Sequence, residues 1–252
     1  MKKKKLSLNL TIKKFFLSIC AVFSLTVTAQ ELEIIPIEHA STVLLYGDTT
    51  IYIYPVGNPE WYANYPKPDL ILITDIHWDH FNPKTLGAVL KERTVIVAPQ
   101  AVADKMTPGL LNKTSVLNNG NQWQTNRLNI TAIPMYNLRQ EALDFHSKGR
   151  GNGYVVETAE QRIYFSGDTE DIPEMRALKN IDIAFICMNL PYTMTETAAA
   201  SAVVEFSPKK VYPYHYRGKP DVSDVALFKQ LVTKSKPSIE VIQLDWYPRN
   251  DF

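Results

Sequence analysis

The sequence predicts an α/β protein in which two β-sheets lie between helical layers. Three observations predict it: strand patterns joined by tight turns open the chain, a continuous apolar run demands cover on both faces, and strand patterns then alternate with helical ones. Of the 252 residues, 45% are hydrophobic and 21% charged, enough apolar side chain for a sizeable core and too much for wholesale disorder.

Residues 33–38 and 42–46, a Gly47-Asp48 turn, and residues 50–54 stopped by Pro55 read as an antiparallel opening. Leu70-Ile71-Leu72-Ile73-Thr74 has the unbroken hydrophobicity of a strand buried on both faces. A helix is predicted over 83–93, with Pro83 at its first position and Leu86, Val89 and Leu90 at helical spacing. Strands follow at 94–98, 128–135, 154–157, 162–166, 181–188, 210–214 and 239–244, and helices at 195–206 and 222–234. With no internal repeat, low-complexity tract or linker, residues 30–252 are expected to form one domain. Residues 137–152 lack a period, and loops of that length in a compact domain are usually functional or mobile. This one holds His146, Lys148 and Arg150, with turn-forming Gly149, Gly151 and Gly153 at its end.

The first 29 residues read as an export signal. Lys2, Lys3, Lys4, Lys5, Lys13 and Lys14 precede or open an apolar stretch over 15–27, and Val27-Thr28-Ala29 supplies small residues for cleavage after Ala29. The stretch is shorter than the roughly 20 residues that span a bilayer, so a periplasmic or secreted protein without stable membrane insertion is expected rather than an anchored one. A lipoprotein signal at Cys20 is disfavoured because bulky Ile19 precedes it. Cleavage leaves Cys187 as the single cysteine, in an apolar strand pattern that suits an inert core thiol. Six of the 27 basic residues and no acids lie in the leader, so the remainder carries 21 bases against 26 acids, a net of −5. That balance disfavours nucleic acid as a partner.

Asp75-Ile76-His77-Trp78-Asp79-His80 places four potential metal ligands within six positions directly after the buried strand. A strand end opening into a loop lets side chains converge on a cation while the backbone stays anchored. The bland alternative is a polar strand exit that caps the next helix through Asp79 or Asn82. Only three other histidines occur, His39, His146 and His215; His215 follows the strand at 210–214, and Gly167-Asp168-Thr169 repeats the arrangement after 162–166. Lys148, Arg150 and Arg217 are candidates to bind an anionic substrate group, with Tyr192, Trp78, Tyr214 and Tyr216 as candidate pocket walls. His39 is read as a supporting or structural residue.

These motifs resemble the metallo-β-lactamase fold superfamily, through Asp75-x-His77-x-Asp79-His80, His146, Gly167-Asp168-Thr169 and His215, over residues 33 to about 244. Glu38-His39-Ala40-Ser41, the Gly-Asp-Thr triplet and Tyr192-Thr193-Met194 look like the branch of ascorbate-6-phosphate lactonases and N-acyl phosphatidylethanolamine phospholipase D enzymes. The resemblance implies an αββα four-layer sandwich with two divalent metals. Asp75, His77 and His146 would bind the first, Asp79, His80 and His215 the second, and Asp168 would bridge them. Two departures stand out: Asp75 occupies a position that is histidine in the family pattern, and the usual early Asp-Pro reads Tyr54-Pro55. Tyr136-Asn137 also occupies the place where many members carry the third-region histidine, which assigns that role to His146 across the loop. Zinc is the expected ion, and the added carboxylate widens the expectation to manganese or iron. The implied activity is an exported hydrolase of a small ester, lactone or phosphodiester, using a metal-bound hydroxide oriented by Asp79. A β-lactamase, or a non-catalytic metal- or partner-binding scaffold of the same fold, remains open at this point, as does the oligomeric state.

Overall fold

Leu70 and Leu72 are buried in one apolar cluster and Ile71 and Ile73 in another, so the run between Pro68 and Asp75 is covered on both sides, as its hydrophobicity requires. This computed structural model describes residues 32–249; the predicted export signal lies outside the described residues.

A six-stranded sheet comprises β1 (Leu32–Glu38), β2 (Ser41–Tyr46), β3 (Thr49–Ile53), β4 (Leu70–Leu72), β5 (Val95–Ala98) and β6 (Thr114–Val116) in that spatial order. The first three strands are antiparallel and β3 to β6 run parallel. Helices α1 (Pro83–Val89), α2 (Gln100–Ala103) and α3 (Pro108–Leu111) contribute Leu86, Val89, Val102 and Leu110 to the smaller cluster on its outer face.

The second sheet has seven strands: β7 (Gln122–Gln124), β8 (Asn129–Met135), β9 (Gly151–Glu157), β10 (Arg162–Phe165), β11 (Ile183–Ile186), β12 (Lys210–Pro213) and β13 (Glu240–Val241), again in spatial sequence. Here β7 to β10 are antiparallel and β10 to β13 parallel. Helices α4 (Pro173–Arg176), α5 (Glu196–Phe206) and α6 (Val225–Ser235) pack through Met175, Val203, Phe228 and Val232 into the larger cluster, which also joins the two sheets. The result is the four-layer αββα sandwich.

Several boundaries differ from the sequence reading. The first helix stops at Val89 because Leu90 turns to ψ 146, and α6 begins only at Val225, where the Asp224 side chain caps it by accepting from the Leu227 N–H. The strand expected at 239–244 shortens to two residues. β9 starts three residues earlier than expected, at glycines whose value is closeness rather than turning. A Cβ on Gly151 would lie 2.8 Å from the Thr74 carbonyl oxygen, and one on Gly153 would lie 2.8 Å from that of Ser166. Between them the Asn152 N–H donates to the Thr74 carbonyl at 2.9 Å, tying the end of the long loop to the strand exit before Asp75. Cys187 is buried and free, its thiol pushed up to about 12 by burial and by Asp168, which makes it unreactive at neutral pH.

Candidate metal centre

The ends of β4, β10 and β12, the β1–β2 turn and the loop before β9 deliver all five histidines and three aspartates to one edge of the sandwich. Asn82 caps α1 by accepting from the N–H groups of Lys84 and Thr85, which leaves Asp79 for the cluster. Three sets of side chains lie close enough to share an ion: Asp75, His77 and His146; His80, Asp168 and His215; and His39, Asp79 and His215. Asp168 lies between the sets. One of its oxygens is 3.3 Å from both His80 Nε2 and His146 Nε2, and the other is 3.2 Å from His215 Nε2.

Four of the imidazoles are held by their Nδ1 atoms. His80 Nδ1 is 2.6 Å from the Thr74 hydroxyl, His77 Nδ1 is 2.8 Å from Asp75 Oδ2, His146 Nδ1 is 3.1 Å from the Tyr192 carbonyl, and His39 Nδ1 is 2.9 Å from the Tyr247 hydroxyl. Such partners fix ring orientation and tautomer, and the acceptors at His77 and His146 leave the Nε2 atoms of those two rings for the centre. His39 and His215 both adopt left-handed backbones, at φ 59 and 48, a conformation that residues with a Cβ hold at some cost and that concentrates at functional sites.

This donor set fits divalent cations. His146 Nε2 and Asp168 Oδ1 are buried and make no hydrogen bond although other ring nitrogens or carboxylate oxygens stand 3.2–3.3 Å away. Lone pairs brought that close without a shared proton call for positive charge between them. The electrostatics agree: burial works against a charged His80, yet the Asp168 and Asp79 carboxylates hold it up at about 9, while the neighbouring histidines hold Asp168 and Asp79 well below the usual carboxylate range against the opposing effect of burial. His39 moves the other way, to about 4, through burial and the proximity of His215, and is neutral at pH 7.

Asp75 is brought to the cluster with both oxygens already engaged. Arg150 forms a two-point pair with it, Nε to Oδ1 at 3.0 Å and Nη2 to Oδ2 at 2.8 Å, while His77 meets Oδ2. Burial would raise the Asp75 carboxyl, but His77 and Arg150 hold it down at about 2. The expected convergence of three cations on substrate is therefore corrected. Arg150 is spent on Asp75, and the exposed Lys148 pairs with Glu174 at 3.0 Å and lies over the Tyr136 ring. Neither lines the cleft of about 420 Å³ above the centre, whereas Tyr192 and Arg217 do, together with Trp78, Phe145 and Lys219. Phe145, Lys219 and Tyr247 were missed in the sequence because each lies in an irregular segment whose facing only the fold determines. His39 is nearer the chemistry than expected, and the Glu38-His39-Ala40-Ser41 signature was its one signal.

A family profile described as the β-lactamase superfamily domain matches residues 33–215. The chain belongs to the metallo-β-lactamase superfamily. Among its relatives in the superfamily, a UPF0173 metal-dependent hydrolase from Thermococcus onnurineus is 31% identical over 75% of this chain and 87% of its own length, and one from Pyrobaculum islandicum is 30% identical over 81% and 90%. A crystal structure of a putative metal-dependent hydrolase from Parabacteroides distasonis superposes with a TM-score of 0.76 at 40% identity, covering 85% of this chain and 93% of that one. This superfamily member is accordingly a metal-dependent hydrolase.

Proposed function

We propose that the protein hydrolyses a small ester, lactone or phosphodiester at a centre of two divalent ions, with Asp79 orienting the attacking water. The observation that carries the reading is the grouping of ligand atoms into adjacent sets about Asp168, with ring nitrogens anchored so that their partners face inward. Asp75, His77 and His146 would hold one ion and Asp79, His80 and His215 the other, with Asp168 between them and Asp75 shared with Arg150. Such ions supply Lewis acidity and lower the pKa of water from about 15.7 to about 7. Zinc suits the imidazole-rich set, and three nearby carboxylates also suit manganese or iron.

The chain's own part is placement. Burial works against an ionised Asp79, yet His80, His215 and His39 hold it well below the usual carboxylate range, and it lies on the cleft wall, where it can accept a hydrogen bond from water. Trp78, Phe145 and Tyr192 offer an apolar wall, while Arg217 and Lys219 supply positive charge for an anionic substrate group. Export rests on the basic-then-apolar opening and Val27-Thr28-Ala29; mass spectrometry of mature protein recovered from its natural compartment should give Gln30 as the first residue.

The test combines metal analysis with turnover of a panel of lactones, carboxylic esters and bis(p-nitrophenyl) phosphate. Two equivalents of metal are expected, with His77→Ala or His80→Ala losing metal and hydrolysis together. Asp79→Ala should abolish turnover; full activity in that variant would overturn the mechanism.

A further inference from the structure

We propose that His39 is a positioning residue for Asp79, holding that carboxylate with an Nε2–H whose place is dictated by Tyr247, and that it is not a metal ligand. The proposal rests on the reading of Asp79 as the water-orienting group and adds how that group is kept in place.

The Tyr247 hydroxyl oxygen accepts from two backbone N–H groups, those of Tyr216 at 3.1 Å and Arg217 at 2.9 Å. A backbone N–H can only donate, so both approaches use the oxygen's acceptor capacity. The phenolic proton is thereby directed to the remaining neighbour, His39 Nδ1 at 2.9 Å. A neutral imidazole that accepts at Nδ1 carries its proton on Nε2. That atom is 3.3 Å from Asp79 Oδ2. A protonated ring nitrogen has no lone pair for a cation, so although His39 stands close enough to Asp79 and His215 to complete a ligand group, it presents a donor.

The surroundings hold the ring in this role. The His39 N–H donates to the Trp246 carbonyl at 2.7 Å, and its own carbonyl accepts from the His215 N–H at 3.2 Å. Its ring lies 3.9 Å from that of His215, centroid to centroid. The Tyr247–His39–Asp79 line thus joins the C-terminal segment to the β1–β2 turn and to the loop after β4. It fixes one oxygen of Asp79 and keeps the carboxylate from rotating away from the cleft.

The experiment reads the tautomer directly. In protein labelled with ¹⁵N-histidine, chelated or zinc-loaded, His39 should show a protonated Nε2 and an accepting Nδ1. In ¹¹³Cd-loaded protein, cadmium–nitrogen coupling should appear at ligand histidines and be absent at His39. With bis(p-nitrophenyl) phosphate, His39→Ala should lower kcat about 10- to 100-fold, the range seen when outer partners of metal sites are removed, with KM and metal content retained. His39→Gln, which restores an N–H near the Nε2 position, should recover most of the loss. Tyr247→Phe, which keeps the ring and its packing, should shift His39 toward the other tautomer and lower kcat as well. A cadmium coupling at His39, an Nδ1-protonated ring, loss of a metal equivalent in His39→Ala, or a glutamine variant no better than alanine would each overturn the proposal. Undiminished turnover in Asp79→Ala would instead overturn the underlying reading of the site, while the tautomer in chelated protein reports on His39 separately.

Discussion

Replacing Arg150 with methionine removes the guanidinium that neutralises Asp75 and keeps most of the volume of the aliphatic stem. Asp75 is wholly buried and the Arg150 side chain is 18% exposed, so the pair belongs to the interior and little solvent screening applies. Breaking a buried pair from one side strands the other charge, at a cost of about 3–5 kcal/mol. The carboxyl would keep His77 as a partner but lose two of its three close contacts, so burial drives its pKa upward from about 2. For a domain of this size the cost corresponds to a fall in Tm on the order of 10 °C. Thermal and guanidinium unfolding of chelated protein at neutral pH provide the measurement. Asp75→Asn in the same chain should return much of the loss, because the stranded charge is gone. A single Arg150→Met variant within about 1 kcal/mol of the parent would refute the view that this pair is an interior element of the site.

Three further outcomes are expected. After chelation, the raised pKa of His80 gives stability that is complete below about 6.5 and is lost as pH rises through about 9, so the Tm of stripped protein should fall across that window while apparent metal affinity rises; a Tm that climbs with pH would contradict it. Gly151→Ala places a Cβ 2.8 Å from the Thr74 carbonyl oxygen and should cost about 1–3 kcal/mol with weakened metal retention, since Thr74 anchors His80; unchanged unfolding and metal content would show that the strands separate freely there. Arg217→Ala should raise KM for anionic substrates and spare neutral ones, whereas Lys148→Ala, whose partner is Glu174, should leave both unchanged; equal effects of Arg217→Ala on neutral substrates would remove its recognition role.

Local pattern by itself determined the alternation of strands and helices, because burial on one or both faces imposes a period that side-chain type records. It also marked Asp75 to His80, Gly167-Asp168-Thr169 and His215 as chemistry at strand ends. The polar edges β6 and β7 and the short helices α2 and α3 escaped, having too few buried positions to write a period. Only the tertiary structure decided which donors remain for a cation. Arg150 and Lys148 sit two residues apart in one loop, yet one turns inward to a buried carboxylate and the other outward to Glu174. Likewise His39 and Tyr247 are 208 positions apart and meet at 2.9 Å. The physical reason is that a side chain's type is local, whereas its hydrogen-bond partner, its tautomer and its charge are set by whatever the folded backbone brings within about 3 Å of it.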